Sequence, residues 1–332
     1  MKEALVTGAT GFIGSHVALA LLEAGWTVRC LTRRGAPDDG PLRDRPGVSW
    51  ISGDLASPSD LRAAVRGCAG AFHLAAHYAL WARDPGELYR VNVEGTRAVL
   101  QAARDEGVRA VYTSSVSCVG EAPPGGAATE DTEAHPQDLV GDYKRSKWEA
   151  EQVALDLARA GADVTIVNPA SVIGPGDWKP TPTGQILVDF LRGRMPCYVD
   201  TGLNFVDVRD VAAGHLLAFE RGQAGRRYIL GNREGNRSLR EFLELAGEIA
   251  GRRAPRVKIP YAVAWMAGAV STFMADHVTH APPGVPLAGV KMSRHRMFFD
   301  PSRAVAELGL PQTPLATTVR DAVEWFRARG MA

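Results

Sequence analysis

Apolar and polar positions alternate along the chain in two periods. Short apolar runs at Ala4–Thr7, Val28–Thr32, Val48–Ser52, Ala71–Ala75, Ala110–Ser114 and Val164–Asn168 predict buried strands. Between them, segments with helical spacing predict helices over Phe12–Glu23, Leu61–Val65, Leu88–Glu106, Asp142–Arg159 and Gln185–Leu191. Strict alternation of the two predicts an α/β fold with a doubly wound parallel sheet. The stretch from Gly120 to Gln137, rich in Pro, Gly and acids, predicts an exposed loop.

After Asn168 the pattern changes. Pro169–Gly184 is dense in Pro and Gly. Strand-like Phe205–Val208 and Arg227–Leu230 are expected to return to the sheet. Helices are expected over Leu239–Ile249, Pro260–Met274 and Asp321–Arg329. Residues 1–168, with 205–231, are therefore expected to form a dinucleotide-binding domain. Residues 169–204 and 232–332 are expected to form mainly a smaller, mostly helical substrate lobe over the carboxyl ends of the strands, where open α/β sheets bind ligands.

The first strand runs directly into Gly8, Gly11 and Gly14. Gly8 suits a tight turn, Gly11 lets a backbone approach a pyrophosphate, and Gly14 lets the next helix pack close to the sheet. The helix N-terminus adds free N–H groups and a positive dipole end. A dinucleotide is thus the first ligand to consider.

Composition narrows the partners. A chain of 332 residues can bury one large core with a lobe, and its net charge is +1. That balance points away from nucleic acid or an anionic membrane as the main partner. The four cysteines, Cys30, Cys68, Cys118 and Cys197, have no metal or redox spacing and are read as reduced thiols of a cytoplasmic protein. The most apolar stretch, Tyr261–Met274, is too short to span a bilayer. It is expected to pack on the fold or to line an apolar pocket. Asp276, His277 and His280 lack a convincing further ligand, so no metal is expected.

Tyr143 and Lys147 stand four residues apart and share one helix face. A free tyrosine has a pKa of about 10, and a nearby ammonium would lower it. Such a phenol can pass a proton to or from a carbonyl or alcohol oxygen. A hydroxyl at the end of the fifth strand can fix that oxygen, and alternation alone leaves Ser114 and Ser115 both open. For the cofactor, the second strand ends at Arg33 and Arg34, with no acid before Asp38. An acid there would bind the ribose of NAD. The arginines instead suit a 2′-phosphate, so NADP is preferred and NAD remains possible.

Taken together, TGATGFIG, SSVSCVG, YKRSK and FVDVRDVA resemble an extended short-chain dehydrogenase/reductase over nearly the whole chain. Leu80-Trp81-Ala82, the stretch from Gly174 to Gly184 and that from Tyr198 to Asn204 resemble the group called hopanoid-associated sugar epimerases, near the dihydroflavonol-reductase-like enzymes. The resemblance selects Ser115, five residues before Gly120. It implies Tyr143 as acid/base, Lys147 on the nicotinamide ribose and Ser115 on the substrate oxygen.

For the cofactor it implies Gly8, Thr10, Gly11, Phe12, Ile13 and Gly14 at the phosphates. Asp54 and Leu55 fall near the adenine, and Leu74, Ala75 and Ala76 under the adjoining ribose. Thr113, Ser114, Pro169, Ala170, Ser171 and Val172 complete the cofactor side. Asn92 has a structural role. Candidate substrate contacts are His77, Tyr78, Trp81, Ser117, Lys179 and Tyr198.

The resemblance also weighs the reactions. Sugar dehydratases carry an Asp-Glu pair where this chain has Val116 and Ser117. Nucleotide-sugar epimerases carry an arginine where it has Leu203. The expected activity is therefore NADPH-dependent reduction of a ketone or aldehyde on a fairly apolar small molecule. The alternatives are a redox-neutral NAD-dependent epimerase of a non-nucleotide or lipid-linked sugar, and a non-catalytic NADP sensor. Helices Leu88–Glu106 and Asp142–Arg159 are the faces on which related enzymes form homodimers.

Overall fold

A computed structural model describes residues 2–37 and 39–332; Met1 and Asp38 lie outside the described residues. Six strands alternate with helices in the first half: β1 (Glu3–Thr7), β2 (Thr27–Thr32), β3 (Val48–Ser52), β4 (Gly70–His73), β5 (Ala110–Thr113) and β6 (Val164–Pro169). Then come β7 (Ser171–Ile173), β8 (Cys197–Val199), β9 (Gly202–Asp207), β10 (Arg227–Leu230), β11 (Asn236–Ser238) and β12 (Val257–Ile259). The main sheet is parallel throughout, in the order β10-β6-β5-β4-β1-β2-β3. Its strand order reverses between β1 and β4, which places the ligand crevice at their carboxyl ends.

Helices cover both faces and bury the strands on both sides, except at the edge strand β3, expected to be buried, where Ser49 and Ser52 are exposed because no strand or helix closes that edge. On one face Val17 and Leu21 of the Phe12–Glu23 helix pack with Val211 of the Val208–Arg221 helix. On the other, Leu61, Leu100 and Val153 join three further helices to the sheet. A separate core fills the lobe around Leu187, Phe190, Phe205, Phe242 and Phe326.

Four expectations are corrected. Residues 205–208 do not return to the main sheet: β9 pairs with β7 and β11 in a three-stranded sheet, and β10 alone extends β6. Both segments read as buried strands, and alternation carries no information about which edge a strand joins. The helix expected over Leu88–Glu106 is broken by a π-turn at Arg90–Glu94. The closing helix begins earlier, at Leu315, behind Pro314. Finally, the loop from Gly120 to Gln137 is not wholly exposed. Glu130 is buried, and its Oε1 accepts the Ile229 N–H at 2.8 Å, capping the edge strand β10.

Candidate functional site

The turn after β1 is built by contact. Gly8 has φ of +76°, and a Cβ there would lie 2.7 Å from the Ala75 nitrogen. A Cβ on Gly14 would lie 2.0 Å from the Gly8 carbonyl oxygen, so only glycine lets the helix start this close to the strand. At Gly11, by contrast, the sole neighbour of a Cβ is the Gly8 oxygen at 3.2 Å. Gly11 caps the helix without a side-chain bond, and the first turn holds no acid. Its N–H groups and dipole are thus open to an anion, and the glycine cradle fits a dinucleotide pyrophosphate.

Buried polar groups hold the crevice floor. Thr7 Oγ1 lies 2.7 Å from His73 Nδ1, Thr96 Oγ1 lies 3.0 Å from His73 Nε2, and the Ala75 N–H donates to Thr7 Oγ1 at 3.2 Å. Burial, helped by the Lys147 charge, pushes the His73 pKa down to about 3. The neutral ring therefore donates on one side and accepts on the other. Leu74 and Ala75 meet Gly8 through their backbone.

Tyr143, Ser115 and Lys147 converge at the carboxyl end of β5. Tyr143 lies in the first turn of the Gly141–Arg159 helix, under Tyr78, with ring centroids 4.4 Å apart. Ser114 is buried and donates to Cys118 Sγ at 3.4 Å. Ser115 is the hydroxyl that faces the Tyr143 phenol, and it also accepts the Ser117 N–H at 3.1 Å.

Lys147 Nζ donates to the Thr113 carbonyl at 2.8 Å and the Tyr112 hydroxyl at 3.1 Å. The ammonium is therefore turned to β5, and the expected depression of the Tyr143 pKa does not arise. Burial raises that pKa well above its ordinary value; Tyr78 and Cys118 add to the rise and Ser115 opposes it. Burial also lowers Lys147 to about 8.

The second strand ends as expected. Arg33 and Arg34 are exposed, and neither pairs with a carboxylate among the described residues. Asp54 is exposed and Leu55 packs under Gly95. Pro169 ends β6, and the Ala170 N–H donates to Leu230 at 3.0 Å, which fixes the start of Ser171 and Val172. Thr113 turns its side chain away, to His215 Nε2 at 2.8 Å, and offers its carbonyl to Lys147.

Comparison with known proteins places the chain in a family. The model of the NAD dependent epimerase/dehydratase family matches residues 4–231. The chain belongs to that family. It is 46% identical to a Synechocystis protein named "Putative dihydroflavonol 4-reductase", covering 98% of this chain and 94% of that one. It is 36% identical to sterol demethylase protein B of Methylococcus capsulatus, covering 98% and 99%. The crystal structure of gox2253 superposes with a TM-score of 0.84 at 41% identity, covering 100% and 99%. Seven parallel strands flanked by helices are the Rossmann-like fold of this NAD(P)-dependent family.

The candidate substrate residues divide. Tyr78 covers Tyr143, and Ser117 is buried beside Ser115. Trp81 Nε1 donates to Asp276 at 2.7 Å, linking the loop after β4 to the lobe. His77 faces Glu87 at 3.6 Å rather than Tyr143. Lys179 is exposed, on a loop whose neighbour Trp178 packs on Trp325. Tyr198 does not face the site: it is buried in the lobe core, because β8 pairs with β12 and turns that side chain inward.

Sequence reasoning missed the supports. Asn92, expected to be structural, sits in the π-turn. It accepts the His77 N–H at 2.7 Å and donates to the His77 carbonyl and Ser146 Oγ, binding the loop to the tyrosine helix. Asn168 Nδ2 donates to the Ser115 carbonyl at 2.9 Å and to Glu151 Oε2 at 2.6 Å. Glu151 is fully buried and pairs with Arg227 at 3.1 Å. The only available signal was Glu151 lying one turn beyond Lys147 on the same helix face.

Proposed function

We propose that the protein is an NADPH-dependent reductase of a ketone or aldehyde on a fairly apolar small molecule, reversible as alcohol oxidation. The reading rests above all on the convergence of Tyr143, Ser115 and Lys147 at the end of β5, beside the glycine cradle. When bound, the nicotinamide supplies a hydride to the carbonyl carbon. Ser115 donates a hydrogen bond to the carbonyl oxygen and holds it in place. Tyr143 gives that oxygen its proton. The phenol is protonated at neutral pH and so carries the proton that the reductive direction needs; burial weakens it as an acid, and its hydrogen bond with Ser115 opposes that effect. Lys147, which gives two of its protons to Thr113 and Tyr112, would use the third to hold the ribose hydroxyls.

The exposed Arg33 and Arg34 favour a 2′-phosphate and hence NADP over NAD. Tyr78 and Trp81 offer an aromatic entrance, with residues 169–204 and 232–332 forming mainly the substrate side. Relatives named for a reductase and for sterol demethylation support a reductive reading and an apolar substrate. Four free thiols suit a cytoplasmic protein. The exposed sides of the Gly95–Asp105 and Gly141–Arg159 helices are the proposed homodimer faces.

A nucleotide-sugar epimerase fits less well. Leu203 stands where a substrate diphosphate would want an arginine, and Arg296 is engaged with Asp200. Dehydration fits less well too, because Val116 and Ser117 are buried and carry no carboxylate.

The deciding experiment identifies any nicotinamide that co-purifies and titrates NADPH and NADH. Exchangeable binding with NADPH preferred supports the reductase. Tightly retained, mostly oxidised NAD overturns it in favour of the epimerase. Tyr143→Phe is then expected to lower turnover roughly 10²–10⁴-fold while leaving NADPH affinity unchanged. Unchanged turnover would refute the role given to the phenol.

A further inference from the structure

The Tyr261–Met274 helix is built inside out. Its buried positions are small, Ala264 and Gly268, with Ala275 following in the next turn. Its outer positions are large and apolar: Val263, Met266, Val270, Phe273 and Met274. Their spacing puts them on one stripe of the helix. Met266, Val270 and Phe273 are 59%, 60% and 59% exposed, and Val278 continues the stripe. Scattered exposed apolar residues are ordinary, but a continuous face of them is not.

Packing holds this helix firmly. A Cβ on Gly268 would lie 3.1 Å from Val290, the Leu287 N–H donates to Thr272 Oγ1 at 2.9 Å, and the Val285 N–H donates to Ser271 Oγ at 3.2 Å.

Charge along the segment that carries the face is one-sided. Residues 251–296 contain Arg252, Arg253, Arg256, Lys258, Lys291, Arg294 and Arg296, against the single acid Asp276. That acid is exposed and accepts the Trp81 Nε1–H at 2.7 Å. Lys258 and Arg296 meet Asp200, whereas Lys291 and Arg294 are exposed and pair with no carboxylate among the described residues. The near-zero charge of the whole chain hides this basic segment. A second copy docked symmetrically on the face would bring two such segments together, which like-charge repulsion opposes.

We propose that this helical face seats on the surface of an anionic lipid bilayer. The stripe enters the headgroup boundary and the surrounding arginines and lysines meet the lipid charge, the arrangement of an interfacial helix. Among the described residues no helix is long and apolar enough to cross a membrane. The seat adjoins the site: Asp276 binds Trp81, and Gly289 lies against Leu80, in the loop whose Tyr78 covers Tyr143. An apolar substrate would then reach Tyr143 from the lipid side. That consequence rests on the reductase reading, whereas the docking does not.

The test is flotation of the full chain with vesicles of phosphatidylcholine, alone or mixed with phosphatidylglycerol, alongside light scattering for oligomeric state. The protein is expected to float with the mixed vesicles at least tenfold more than with the neutral ones, and less as salt rises. Val270→Glu/Phe273→Glu should abolish flotation while NADPH binding and the unfolding temperature hold. Val270→Ser/Phe273→Ser replaces it if the charged pair fails to fold. Lys291→Glu/Arg294→Glu should remove the anionic preference. Absence of flotation by the natural chain, or flotation that these variants do not reduce, overturns the proposal. So does an oligomer that the apolar variants dissolve without any vesicle binding, which would assign the face to a second copy. All of these readouts are independent of activity, so failure of the reductase reading leaves them interpretable.

Discussion

Gly11→Ala and Gly14→Ala should fail in different ways, and the difference separates a packing glycine from a ligand glycine. At position 14 an added Cβ would sit 2.0 Å from the Gly8 carbonyl oxygen, a backbone atom that cannot rotate aside. The helix must retreat by about 1 Å, at an overpacking cost near the upper end of ~1–3 kcal/mol. Better helix propensity returns about 1 kcal/mol. The net loss is therefore about 2 kcal/mol, or roughly 3 °C in unfolding temperature for a chain of 332 residues.

At position 11 the backbone is extended, with φ −86° and ψ 171°, and the nearest atom to a Cβ is 3.2 Å away. Alanine is a weaker N-cap than glycine but stiffens the unfolded chain, so stability should change by less than about 1 kcal/mol. The methyl instead fills the phosphate cradle. Loss of one hydrogen bond to a charged phosphate costs ~1.5–3 kcal/mol, which weakens NADPH binding by roughly 10–100-fold. Thermal unfolding and NADPH fluorescence titration read the two effects separately. The reasoning is refuted if Gly14→Ala unfolds at the natural temperature, or if Gly11→Ala binds NADPH with unchanged Kd.

Three further outcomes follow from named contacts. Arg33→Glu/Arg34→Glu should weaken NADPH and favour NADH, because the exposed pair is the cationic end of β2; equal loss for both nucleotides in a titration would count against it. Glu151→Ala strips a fully buried carboxylate from Arg227 and Asn168. It should cost about 3–5 kcal/mol in denaturant unfolding, and Glu151→Gln distinctly less; a loss below 1 kcal/mol for the alanine would show that the pair is not a support. Burial lowers His215 to about 4 from 6.5. Below pH 6.5 the unfolded chain takes up a proton that the folded one refuses, so stability falls as pH drops toward 4, by on the order of 3 kcal/mol. The stability gap between the natural chain and His215→Gln should narrow over that interval, and a constant gap would contradict neutral burial of the ring.

Local pattern sufficed where a property belongs to one segment. Apolar runs and the 3.6 period marked every strand of the main sheet and most of its helices, because side-chain direction follows from backbone geometry within a few residues. The Val208–Arg221 helix escaped, its first residue being read into the preceding strand. The glycine turn was legible for the same reason: Gly8, Gly11 and Gly14 answer contacts made almost entirely within the turn and its neighbouring loop. Tyr143 and Lys147 shared a face by spacing alone.

What depended on distant partners was decided by the tertiary structure. Which edge β9 joined, which way Lys147 turned, and that Tyr198 lay in a core each required strands far apart in sequence to meet. That Ser114 lies buried against Cys118 while Ser115 faces Tyr143 was visible only in the fold. Asn168, Glu151 and Arg227 read as ordinary polar residues until the fold closed around them and removed the water that would otherwise have satisfied them. Charge and apolarity divided in the same way. Seven cations against one acid in residues 251–296 are legible in the sequence, because they are contiguous. That Val270 and Phe273 face outward while Ala264 and Gly268 face the fold was decided by the packing of their helix against residues 285–290, a choice that spacing within one segment leaves open.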